Sequence, residues 1–259
     1  MLHDRSKKVK KKLTLTGLFG IVTPHTEQHK QHMRTKTLLL TAALVAVGAA
    51  SSMAQVYSQN AVGYINVTSP AGRFAMIAHQ LNTGAGSRSI ATLLGNVATV
   101  PPRVGTTVVF FTPSGTQTAT FDPDEGTPDG WTPSGAGVLA LGGGAYVFTP
   151  AGASQTFTFV GDVPQGTLST PVTQPGFLFY SSTVPQAGRV QADLGFIPNV
   201  GDTIFRLSPT GQAQSSTFDP DEGTPDGWTP AQPSFAVGEA FLMKPITPHV
   251  AWTRVFSVN

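Results

Sequence analysis

The chain contains no cysteine. A disulfide framework and a cysteine nucleophile are therefore excluded, and the fold must hold together by its core. Charge is sparse as well, at 12% of residues. Beyond residue 54 only two histidines remain, His79 and His249. The chain has no G-x-S-x-G, no H-E-x-x-H and no Walker-type loop. The stretch "GAGSRS" (84–89) is glycine-rich but sits in no βαβ pattern. Catalysis is not what these absences point to.

Long apolar runs are missing too, apart from Leu38–Ala50. That run follows Arg34 and Lys36 and ends in Ser52-Met53-Ala54, a small-x-small cleavage pattern. Residues 33–54 read as a secretory signal peptide, with the mature chain starting at Gln55. Export is therefore expected, to the periplasm, the cell surface or beyond. Residues 1–32, with five lysines between Lys7 and Lys12, read as a basic arm or as an over-extended start ahead of Met33. The leader favours the second reading.

Beyond residue 54 there are seven basic and twelve acidic residues, a formal charge of −5. A basic face for nucleic acid is not available. No later stretch approaches membrane-spanning length, so no transmembrane helix is expected there.

What is present is a duplication. "TFDPDEGTPDGWTP" occupies 120–133 and returns unchanged at 217–230. Around it, "VGTTVVFFTPSGTQTATF" matches "VGDTIFRLSPTGQAQSSTF", and "LGGGAYVFTP" matches "VGEAFLMKP". Unit one is expected near 60–163 and unit two near 165–259. Within each, short runs rich in Val, Phe, Tyr and Thr alternate with turn residues. "TPSG" and "SPTG" predict a hairpin per unit. A short helix is expected at "SRSIATLLG", capped by Ser89 and stopped by Gly95, with a counterpart at 188–195. The predicted fold is all-β, with two homologous β-sandwich or barrel-like units of about 95 residues in tandem. The runs "VVFFT" and "TRVFSVN" are nearly uncharged and read as edge strands open to self-association.

The signal peptide, the following "VYSQNAVGYINV", the "FDPDEGTPDGWTP" loops and the ending "AFLMKP…WTRVFSVN" together resemble a group of exported bacterial two-repeat, β-rich proteins. The resemblance covers the whole mature chain. It implies no activity and assigns no site residue.

Three readings of the repeated loop follow from its residues. Asp122, Asp124 and Asp129, with Asp219, Asp221 and Asp226, offer hard oxygens for Ca²⁺, although the spacing is not that of an EF-hand. Trp131 beside Asp124 and Glu125, and Trp228 beside Asp221 and Glu222, suit a surface glycan that stacks on the indole and donates hydroxyls to the acids. The third reading needs no ligand: Asp-Pro and Gly-Thr-Pro-Asp-Gly are strong turn formers, and Phe121 and Trp131 anchor the loop ends. Asp124 and Glu125 are also the least unfavourable pair for a glycoside hydrolase-like mechanism. The expected function is a non-catalytic exported protein, either structural or adhesive or a weak binding module. Surface glycans or surface-layer proteins would be its partners, with no cofactor other than Ca²⁺.

Overall fold

The computed structural model describes residues 61–84, 88–112, 114–135, 137–172, 176–208, 210–222, 224–247 and 249–258. The expected leader and basic segment lie outside the described residues. All described residues belong to one compact unit, Gln59–Asn259.

The unit is nearly all β. Its elements in order are β1 (Val62–Ser69), β2 (Arg73–Ala78), α1 (Ile90–Leu94), β3 (Thr107–Thr112), β4 (Gly115–Phe121), β5 (Trp131–Thr132), β6 (Gly144–Thr149) and β7 (Gln155–Asp162). These are followed by β8 (Gly166–Thr170), β9 (Leu178–Tyr180), β10 (Gly188–Arg189), β11 (Thr203–Leu207), β12 (Ala213–Phe218), β13 (Trp228–Thr229), β14 (Ser234–Phe235), β15 (Phe241–Lys244) and β16 (Trp252–Phe256). None of the described helices is long and apolar enough to cross a membrane.

Local chemistry explains most elements. β1 alternates, with Ile65 and Ser69 turned inward and Tyr64, Asn66 and Thr68 outward, the period-2 pattern of a half-buried strand. Helix α1 starts where expected: the Ser89 side chain accepts from the Thr92 N–H at 3.2 Å. It stops at Gly95, whose φ of +99° brings the Cβ position within 2.1 Å of the Val100 carbonyl oxygen. No other residue fits there. The expected counterpart at 188–195 is not a helix. It forms β10 and a run of turns, because Asp193 bonds back to the Arg189 N–H at 2.8 Å and pairs with its side chain.

The strand order is β2-β6-β3-β4-β5 in one five-stranded sheet and β9-β15-β11-β12-β13 in the other. Element for element, the two orders are the same. The ribbon β1-β7 covers one sheet and β8-β16 the other. Each sheet buries one face in its own core. Ile77, Val108, Val147, Phe157 and Trp131 meet in the first, and Tyr180, Ile204, Met243, Trp252 and Trp228 in the second. The opposite faces pack together through Met76, Ala78, Phe179, Ala240 and Leu242, with Phe111, Tyr146, Phe205 and Leu207 at the margin.

This seam is reciprocal. The Ala78 N–H donates to the Gly238 carbonyl at 2.8 Å, and the Ser181 N–H donates to the Gly142 carbonyl at 2.7 Å. Gly142 and Gly238 occupy equivalent places, as do Ala78 and Ser181. At the centre, Gly144 meets its equivalent Ala240, with 2.4 Å between a Cβ built on Gly144 and the Ala240 Cβ. Equivalent residues meeting each other is the signature of a twofold relation.

The pairings correct two sequence expectations. "AYVFTP" and "AFLMKP" align Tyr146 with Phe241 by letter. In the sheets, Val109 pairs Tyr146 while its equivalent Phe205 pairs Leu242. The true correspondence is one residue later. A one-residue slip exchanges the two faces of a strand, so Phe241 goes to the core and Leu242 to the seam. Similarly, "VVFFT" is not an edge: β3 lies between β6 and β4.

Candidate functional site

The two repeated loops have the same geometry. A 3-10 turn spans Pro123–Glu125, and another Pro220–Glu222. Asp122 caps the first, accepting from the Asp124 N–H at 3.0 Å, and Asp219 caps the second from the Asp221 N–H at 3.0 Å. Such bonds two residues on are the Asx turns that Asp-Pro sequences favour. Asp129 accepts from the Trp131 N–H and the Gly135 N–H, each at 3.1 Å. Burial alone would raise the pKa of Asp129, but these N–H groups and the Ser134 hydroxyl hold it below the ordinary value. Asp226 likewise accepts from the Trp228 N–H at 3.2 Å.

Trp131 is 1% exposed and Trp228 0%. Trp131 packs edge-on against Phe121 at 5.4 Å, and Trp228 packs on Phe218 at 5.3 Å. Their Nε1–H groups donate to the Gly95 carbonyl and the Gln191 side chain, each at 2.9 Å. The ring faces that the loop-based glycan reading needs on the surface are thus in the core, because the indoles close the bottoms of both sheets. Asp124, Glu125, Asp221 and Glu222 are exposed. Among the described residues, no three His, Asp or Glu side chains are grouped to hold a metal ion. Asp122 and Asp129 face backbone N–H groups instead of converging with Asp124.

The histidines are structural in their contacts. His79 is fully buried, with Nδ1 2.8 Å from the Leu139 carbonyl, and burial lowers its pKa. His249 stacks on Phe196 at 5.3 Å, and its Nε2 lies 2.7 Å from Asp202 Oδ2, off the axis of a well-aligned hydrogen bond.

A concavity with charged lining lies elsewhere, at the seam between β2 and β11. Two hollows of about 340 and 480 Å³ share Phe74 and Leu207. Phe74, Phe111 and Tyr146 supply an aromatic wall. Phe74 is 43% exposed and edge-on to Tyr146 at 5.9 Å. Charged groups stand on both sides of Phe74: Arg73 lines the hollow of the aromatic wall, and Arg206 and Glu239 line the adjoining one. The Arg206 Nη1–H donates to the Ser234 carbonyl at 2.8 Å, and Glu239 Oε2 accepts from the Ala236 N–H at 2.9 Å. Burial raises the Glu239 pKa, against that N–H and the Arg206 charge, which pull it down. A half-buried carboxylate beside a guanidinium in a cleft makes Glu239 a candidate site residue.

Sequence reasoning missed this cleft, whose residues come from five strands and the loops between them. One signal was there. Arg206 and Glu239 stand where the matching stretches 104–121 and 141–150 have Phe110 and Gly143, so the two stretches differ in charge at two positions. Compared with protein-family models, with curated proteins and with solved structures, the chain matches none.

Proposed function

We propose that the protein is an exported, non-catalytic binding module that takes a carbohydrate in the seam cleft. The observation that carries this reading is the half-exposed Phe74, beside Tyr146 and Phe111, next to Arg73, Arg206 and Glu239. A sugar ring presents C–H groups to an aromatic face and hydroxyls to charged side chains, and the cleft offers both partners side by side. The repeated loops then act as stiff braces under each sheet.

Affinity electrophoresis in a panel of polysaccharides tests this. Phe74→Ala should weaken retention by about tenfold, measured well below a melting temperature that falls because the ring packs on Tyr146 and Phe148. Full retention by Phe74→Ala overturns the assignment.

A second reading is a self-associating structural subunit. It is favoured by β16 and β8, which form a two-stranded ribbon with Val255 79% exposed. Edges of this kind add strands from a second chain. Light scattering that shows a monomer at millimolar concentration counts against it.

A further inference from the structure

We infer that the ligand of the seam cleft carries a carboxylate, as a glycan built of uronic acids does. The inference rests on the carbohydrate reading above and adds the ligand's charge.

The twofold relation supplies an internal comparison. A second seam, between β9 and β3, is the counterpart of the first, with a hollow of about 180 Å³ lined by Phe111, Leu178, Phe179 and Tyr180 among others. Among the described residues, no charged side chain lines it. The positions of Arg73, Arg206 and Glu239 are taken there by Gly176, Phe110 and Gly143. The counterpart seam closes without charge, so back-to-back packing of the sheets does not by itself call for charged residues at these three positions.

Two of the seven basic residues beyond residue 54 are gathered in this cleft, on a chain that is formally −5 there. The one acid lining it is Glu239, already bonded by the Ala236 N–H. The local balance is cationic against an acidic background. Arg73 has no carboxylate partner among the described residues. A Cβ built on Gly211 lies 3.3 Å from the Arg73 Cδ, so the bare glycine accommodates the arginine stem at the lip beside Phe74. Arg206 has one N–H engaged with the Ser234 carbonyl. Guanidinium groups bind carboxylates through paired, charge-assisted hydrogen bonds, and neutral hydroxyls far less strongly. An acidic sugar satisfies both the arginines and the aromatic wall, while Glu239 accepts from its hydroxyls.

The test titrates the full chain with oligogalacturonate and with neutral galactan oligomers of equal length, for the unchanged protein and for Arg73→Gln. Arg73 is on the surface, so the variant keeps its fold, as a melt will confirm. The acidic oligomer should bind about tenfold more tightly than the neutral one, and Arg73→Gln should remove that difference. The preference should also shrink as salt is raised. Equal affinity for the two oligomers, unaltered by Arg73→Gln, overturns the acidic assignment and leaves the carbohydrate reading standing. Failure of both oligomers to bind overturns the two together.

Discussion

Trp131 and Trp228 show how one residue type carries either function or fold, depending on where its ring goes. Each closes a core and anchors its N–H, so truncation removes a large buried volume. Trp131→Ala should cost about 3–5 kcal/mol, measured by urea denaturation. Asp124→Ala in the same loop should change little, since Asp124 is exposed. Glu239 makes a different prediction. Its pKa is raised in the fold from an ordinary 4.5. Ionisation is therefore harder in the folded than in the unfolded state. Below the ordinary value both states are protonated and the penalty is absent; it accrues as pH rises through the raised value. Glu239→Gln keeps an acceptor for the Ala236 N–H, so it should raise the melting temperature at pH 7 and have little effect near pH 3. Equal gains at both pH values would show that burial of the charge is not the cause.

At the scale of the element, the repeated loop is a unit built from its own hydrogen bonds. Asp129 is its hub, holding the N–H groups of Trp131 and Gly135. Asp129→Ala should destabilise by about 1–2 kcal/mol, read from thermal melts, and Asp226→Ala by a similar amount. Gly130 is needed because a Cβ there would lie 2.6 Å from the Phe121 ring, at a φ of +77°. These features were legible beforehand: the Asx turns, the glycines and the aromatic anchors follow from letters within about a dozen residues of each other. Helix α1 was legible for the same reason. Its expected twin was not, because Asp193 pairs with Arg189 and draws the chain into turns.

For the whole molecule, the seam decides. Gly144 lies on the seam, with Ala240 across it at 2.4 Å from its Cβ position and the Ile77 carbonyl oxygen of its own sheet at 2.5 Å. Gly144→Ala should cost about 1–3 kcal/mol by overpacking, seen as a lower urea midpoint. Gly126→Ala has open space around it, so any loss there reflects its φ of +76° alone. A larger loss at Gly144 than at Gly126 would mark the seam as a tightly packed interface.

The division between sequence and fold follows from range. The all-β character, the turns, the loop architecture and the presence of a repeat are written in contiguous residues, because backbone propensity and short hydrogen bonds act locally. The sequence also carried the charge balance and the poverty of catalytic groups. Only the tertiary structure decided which face each strand buries, and it overruled the letter alignment of β6 with β15 by one residue. It chose between the core and surface readings of the two loop tryptophans, and it put β3 in the middle of a sheet. The seam cleft is the clearest case. Arg73, Phe74, Arg206 and Glu239 span more than half of the described chain and meet only because two sheets pack back to back across reciprocal hydrogen bonds. No local pattern encodes that meeting, since it is set by the complementarity of two surfaces.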